Sequence, residues 1–182
     1  MPVKFAWAIT GAGDFMPESI NVMREIVNEY DVKLMIFLSK AGSQVIKWYK
    51  LAKDLESLTS KIHNEIDANT PFIAGALQKG VYKFLVIMPA TANTVAKIAY
   101  GIADTLVTNC VAQAMKADVP IYIYPVDQQP GTLTTRLPSG EKMLLTTRRV
   151  DLENVERLRG MKGMTILDKP SQIKNYLKLY FD

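Results

Sequence analysis

Short apolar runs of strand character alternate along this chain with longer stretches whose apolar residues recur at helical spacing. No other feature narrows the fold as much. Val3 to Ile9 is an uninterrupted strand-like run except for Lys4, and Ile20, Met23, Ile26, Val27 and Tyr30 then repeat at helical spacing, with Pro17 suited to the first turn. Val32 to Leu38 is a second strand, and Val45, Ile46, Trp48, Tyr49 and Ala52 mark the following helix. A further helical piece is expected over Leu55 to Ile66 and a short helix over Phe72 to Leu77, separated by Thr70-Pro71. Tyr82 to Met88 is the third strong strand, followed by helical stretches over Thr91 to Ile102 and Val107 to Ala117. Pro120 opens another strand that runs to Tyr124. Strands alternating with helices imply an α/β fold with a parallel, doubly wound sheet.

The pattern changes after Pro125. Leu133 to Leu137 and Lys142 to Thr147 flank Pro138-Ser139-Gly140-Glu141 and predict a β-hairpin. Asp151 is expected to cap a helix carrying Leu152, Val155 and Leu158. Met164 to Leu167 is a last short strand, and Ser171 to Phe181 a terminal helix. The 182 residues suit a single domain over 1–182, with the hairpin inserted at about 131–149.

Cysteine and histidine usage removes whole classes of chemistry. Cys110 and His63 are the only residues of their kinds, so no intrachain disulfide, cysteine-ligated cluster or histidine-rich metal site can form. No apolar run approaches the roughly 20 residues that span a bilayer, and no secretory signal pattern is seen. The expected compartment is the cytoplasm. The net charge of +4 comes from dispersed Lys and Arg, which suits an acidic partner; no arginine-rich run or aromatic platform supports nucleic-acid binding.

The loops that leave the strands carry the functional signal. In an open α/β sheet, ligands bind beyond the carboxyl ends of the strands. Three such exits are small and hydroxyl-rich: Thr10 to Gly13, Ser39 to Gly42, and Ala90 to Thr94. Gly11 and Gly13 lack the third glycine of a dinucleotide fingerprint, since Met16 stands there, so a nicotinamide dinucleotide is not indicated. In the third exit, Pro89 stiffens the chain, Ala90 and Ala92 allow close approach, Thr91 and Thr94 offer hydroxyls, and Asn93 offers an amide. If the three strands are neighbours, their N–H groups and hydroxyls can hold a phosphate, with Lys40 placed to help neutralise it.

Pro89-Ala90-Thr91-Ala92-Asn93-Thr94, continued by Ala96 to Asp104, resembles the Pro-Ala-Ser-Ala-Asn-Thr motif of the flavin-binding cysteine decarboxylase superfamily. Arg149 to Val155 and the later chain resemble its archaeoflavoprotein and dihydromethanopterin reductase branch. The resemblance implies a Rossmann-like fold, FMN as cofactor, and homo-oligomers built as trimers or multiples of trimers. It places the FMN phosphate near Gly11, Ala12, Gly13 and Ser39, assigns flavin contacts to Thr91, Asn93 and Thr94, and puts Gly101 and Asp104 in the corner that shapes the flavin pocket. The decarboxylases' histidine close before the motif strand and their clamp cysteine are missing, because His63 lies well upstream and the loop Leu137 to Lys142 holds no cysteine. The Arg-Glu pair of the prenyl-transferring branch is replaced by Pro125-Val126-Asp127-Gln128. The expectation is therefore a redox flavoprotein that takes electrons from a ferredoxin or similar acidic carrier, with dihydromethanopterin reduction as the alternative. Trp48 and Tyr49 are candidates either to stack on a flavin or pterin ring or to pack in the core or an interface, and Arg136, Arg148 and Arg149 either to face an acidic redox partner or to form a solvated hairpin face.

Overall fold

A computed structural model describes residues 2–181. The first strand, β1 (Val3–Ile9), leads into α1 (Met16–Glu29), then β2 (Val32–Leu38), α2 (Lys40–Trp48), α3 (Ala52–Glu56) and β3 (Ile62–Asn64). After α4 (Ile73–Gln78) come β4 (Leu85–Ala90), α5 (Ala92–Ala99), α6 (Leu106–Lys116) and β5 (Ile121–Pro125). The hairpin β6 (Thr132–Arg136) and β7 (Lys142–Thr146) follows, then α7 (Arg149–Arg159), β8 (Met164–Ile166) and α8 (Ile173–Leu177). Six strands form one sheet in the order β3-β2-β1-β4-β5-β8, every pair parallel.

The period of two along each strand decides what packs on each face. Ala6, Ala8, Phe37, Leu85, Ile87 and Ile123 point to one side and are buried with Leu77 of α4, Val95 of α5, Val111 of α6 and Leu158 of α7. Phe5, Trp7, Ile36, Val86, Met88 and Tyr122 point to the other and are buried with Met23 of α1, Ile46 of α2 and Ile173 of α8. The sheet is thus doubly wound, as its alternating pattern implies. From β1 the chain crosses to α1 on one face; from β4 it crosses to α5 on the opposite face. The two exits diverge and leave a crevice above the junction of β1 and β4, the topological switch point.

The hairpin forms its own two-stranded antiparallel sheet, with β7 exposed throughout. It is anchored beside the β1 exit. The Thr135 hydroxyl donates to Asp14 Oδ1 at 2.6 Å, and Tyr49 Oη–H donates to the Arg136 carbonyl at 2.6 Å.

Several elements differ from expectation. The helix predicted over Leu55 to Ile66 is α3, ending at Glu56, followed by the edge strand β3. Lys50 adopts φ 58, in the left-handed region, and closes off α2. The Ser57 and Thr59 hydroxyls then donate to the carbonyls of Asp54 and Leu34, competing with helix formation. The backbone finds its partners on β2 instead, as Ile36 N–H donates to Lys61 O at 2.9 Å and Glu65 N–H to Leu38 O at 2.9 Å. His63 accordingly sits exposed on a strand, not in a helix. The exit loops are shorter than read: Pro89 and Ala90 belong to β4, and α2 begins at Lys40. Asp151 is not the cap of α7 but its third residue, accepting from the Arg148 N–H at 3.2 Å. The terminal helix is broken into α8 and two flanking 3-10 turns. Among the described residues, no helix is long and apolar enough to cross a membrane.

Candidate functional site: a cleft at the switch point

Three helix N-termini meet at the carboxyl end of the sheet. Ser39 caps α2, Thr91 caps α5 and Thr105 caps α6. Each hydroxyl accepts from the N–H of the third helical residue: Gly42 at 2.9 Å, Thr94 at 3.2 Å and Thr108 at 3.2 Å. The first N–H of each helix is turned to a carboxylate. Lys40 N–H donates to Glu65 Oε2 at 3.0 Å and Leu106 N–H to Glu65 Oε1 at 2.9 Å. Ala92 N–H is directed at Asp127. That leaves the second N–H of each helix. Among the described residues, the N–H groups of Ala41, Asn93 and Val107 make no hydrogen bond, and all three residues line one cleft of about 410 Å³. Helix N-termini with free N–H groups attract anions.

The walls of the cleft are tied together by Thr10, which is 1% exposed. Its hydroxyl donates to Pro89 O at 2.8 Å and accepts from Thr91 N–H at 2.9 Å, joining the β1 and β4 exits. Glycines let the remaining segments approach. A Cβ on Gly11 would lie 2.6 Å from the Ala41 Cβ, and one on Gly42 would lie 2.5 Å from the Ile9 carbonyl oxygen. The cleft's inner cation is already matched: Lys97 Nζ donates to both Asp104 oxygens at 2.8 Å, and this hydrogen bond holds the Asp104 carboxyl below its ordinary range.

Of the residues read from the sequence, Gly11, Ser39, Lys40, Thr91, Asn93, Thr94 and Asp104 line this cleft. Ala12 and Ala90 are buried and do not line it. Ala92 is the first residue of α5. Gly13 faces Tyr49 and the hairpin instead, and Gly101, at φ 70, turns the chain between α5 and α6 without lining the cleft. Trp48 and Tyr49 do not line it either: Trp48 is 61% exposed, and Tyr49 is bonded to the hairpin. Cys110 is fully buried in α6, and burial, with the charge of Glu65, pushes its thiol up. Arg148 and Arg149 are paired with Asp151 and Glu153 of their own helix. Glu65, Lys97, Thr105 and Val107 line the cleft without having been singled out from the sequence. Thr105 and Thr108 had a signal in the spacing of a capping box. Glu65 had none, because it follows a short edge strand that reads as helix.

A second charged cluster borders α5. Burial, with the charges of Asp151 and Asp14, pushes the Asp127 carboxyl above its ordinary range, against the pull of Arg148 and the Ala92 N–H. Among the described residues, no group of His, Cys, Asp and Glu is arranged to hold a metal ion.

The cleft is polar and small in its chemistry. It offers unpaired amides and hydroxyls on small residues, in a volume within the roughly 300–1,000 Å³ of small-molecule sites. The chain is 42% identical over 143 residues to a dihydromethanopterin reductase (acceptor) of Methanocaldococcus jannaschii, and 36% identical over 143 residues to that of Methanosarcina mazei. These matches cover 75% and 74% of this chain but 58% and 59% of the reductases, so it spans under two thirds of their length. An uncharacterised protein of M. jannaschii is 52% identical over 96% of this chain and 94% of its own. The crystal structure of Burkholderia xenovorans DmrB with FMN, described as a cubic protein cage for redox transfer, superposes with a TM-score of 0.83 at 33% identity, covering 98% of this chain and 95% of that one. The model of the Flavoprotein family matches residues 2–177, and the chain belongs to that family.

Proposed function

We propose that this chain binds FMN in the switch-point cleft and works as a redox flavoprotein. One observation carries the reading: three helix N-termini bring Ala41, Asn93 and Val107, whose amides have no partner among the described residues, to the lining of a single cleft. Dipoles and N–H groups of this kind favour a phosphate without a dedicated cation. In this reading Gly11 and Ser39, with the exposed Lys40, lie around the phosphate, while Ala12 is buried and Gly13 faces Tyr49. Thr91, Asn93 and Thr94 border the flavin and Asp104 shapes the far wall, while Ala90, Ala92 and Gly101 set the course of the chain around them without lining the cleft. Bound FMN accepts one or two electrons, so it links one-electron donors to two-electron acceptors. The protein's part is to hold the phosphate, orient the ring and set the surrounding charge.

Electrons come from outside the chain in this proposal, because Cys110 and His63 provide no relay of their own. A small acidic carrier such as ferredoxin is the donor suited to a net charge of +4. The working form is a homo-oligomer, a trimer or a multiple of trimers, a proposal in keeping with the cage described for B. xenovorans DmrB. A second reading, reduction of a dihydropterin by the bound flavin, is favoured by the two reductase relatives.

The test is to reconstitute the protein with FMN, reduce it anaerobically with ferredoxin, and mix it with a dihydropterin. Reduction by ferredoxin with slow reoxidation supports the carrier reading, and fast reoxidation by the pterin supports the second. Failure of ferredoxin to reduce the flavin removes the proposed donor.

A further inference from the structure

Among the described residues, Glu65 is the one side chain that hydrogen-bonds two of the three helix N-termini at once. Its oxygens accept from the first N–H of α2 at 3.0 Å and from the first N–H of α6 at 2.9 Å. The two helices come from distant parts of the chain, and Glu65 reaches them from the segment after β3, itself fastened by Glu65 N–H to Leu38 O at 2.9 Å. The side chain also lines the cleft. A carboxylate in that position is an internal anion: it uses the N-terminal partial charges that an incoming phosphate would otherwise meet. Its charge is felt within the fold as well, since it contributes to raising the Cys110 thiol on α6.

We propose that Glu65 is the positioning residue of the cleft: it locks the N-termini of α2 and α6 together, confines a phosphate to the second amides of the helices, and weakens the hold on that phosphate by like charge. The proposal rests on the reading that FMN binds here. It assigns opposite effects to the two properties of Glu65. Its hydrogen bonds order the cleft for any flavin, whereas its charge acts on the phosphate, so FMN and riboflavin separate them.

The experiment measures FMN and riboflavin affinities by quenching of flavin fluorescence, for the full-length wild type, Glu65→Gln and Glu65→Asp, with melting curves for each. Glu65→Gln removes the charge and keeps an acceptor. The ratio of FMN to riboflavin affinity is expected to rise by roughly two- to five-fold for each helix terminus released. Glu65→Asp keeps the charge but is too short to span both amides. Both flavins should weaken together, with the ratio unchanged. An unchanged or lower ratio in Glu65→Gln overturns the proposal while leaving FMN binding intact, and a wild type that binds no flavin overturns both. Glu65→Asn is the second neutral variant. If neither neutral variant folds, Glu65 serves the fold alone and the proposal fails.

Discussion

Replacing Thr10 by valine isolates the hydroxyl that joins the two strand exits. Valine matches threonine in shape, so the change opens no cavity and removes only polar contacts. Two hydrogen bonds disappear, one to Pro89 O and one from Thr91 N–H. Pro89 O retains the long Thr10 N–H contact at 3.4 Å, but Thr91 N–H is left without a partner. A lost bond costs about 1 kcal/mol and a stranded buried donor about 1–3 kcal/mol, so Thr10→Val should cost about 2–4 kcal/mol. For a chain of this size, about 2–4 °C in Tm accompanies each kcal/mol, which predicts a fall of roughly 4–16 °C. Thr10→Ser keeps the hydroxyl and loses one methyl, about 1 kcal/mol. Calorimetry at matched protein concentration and FMN titration of both variants provide the assay. Thr10→Val should also bind FMN more weakly, because Thr91 at the head of α5 is no longer held to β1. If the two variants melt together, or Thr10→Val binds FMN like the wild type, the Thr10 bridge does not shape the cleft.

Gly11→Ala and Gly42→Ala should both weaken FMN binding and stability. The first drives a methyl against Ala41 and the second against the Ile9 carbonyl, whereas Gly13→Ala meets the ring end of Tyr49, which is side chain and not backbone, and should be milder than Gly42→Ala while loosening the Tyr49 bond to the hairpin; melting curves of the three test the order. The Cys110 thiol, fully buried and raised by burial, should resist thiol reagents at pH 8 until the protein unfolds, and rapid labelling of the native state would contradict its placement. Asp127 makes a pH prediction. Its folded carboxyl titrates above the unfolded one, so the folded state binds the extra proton between the two pKa values and stability falls as pH rises through that window. Asp127→Asn should therefore melt higher than wild type at pH 7, the difference vanishing below about pH 4. A lower melting point for Asp127→Asn at pH 7 would show that its bond with the Ala92 N–H outweighs its burial.

Local patterning made the sheet legible. β1 and β2 coincide with the expected runs because the continuous apolar stretches Phe5 to Ile9 and Leu34 to Leu38 suit strands buried on both faces. The three exits converge as expected because β2, β1 and β4 are neighbours. Long-range partners were not legible. Ile62 to Asn64 read as helix by spacing, yet the open edge of β2 recruits them as a strand. Glu65 gains its place only through that pairing, with Leu106 41 residues away. The sequence leaves Tyr49 open between flavin stacking and packing, and the Arg136 carbonyl draws its hydroxyl to the hairpin, a contact that no local pattern encodes.

The central claim is that FMN occupies the cleft at the switch point, and a flavin titration tests it most directly. Asn93 is exposed at the head of α5 and lines the cleft, so Asn93→Trp fills the space without touching the core. The account predicts that the wild type saturates with a single FMN per chain, while Asn93→Trp melts near the wild type and binds FMN weakly or not at all. A wild type that takes up no FMN, or a folded Asn93→Trp that binds it undiminished, would contradict the account.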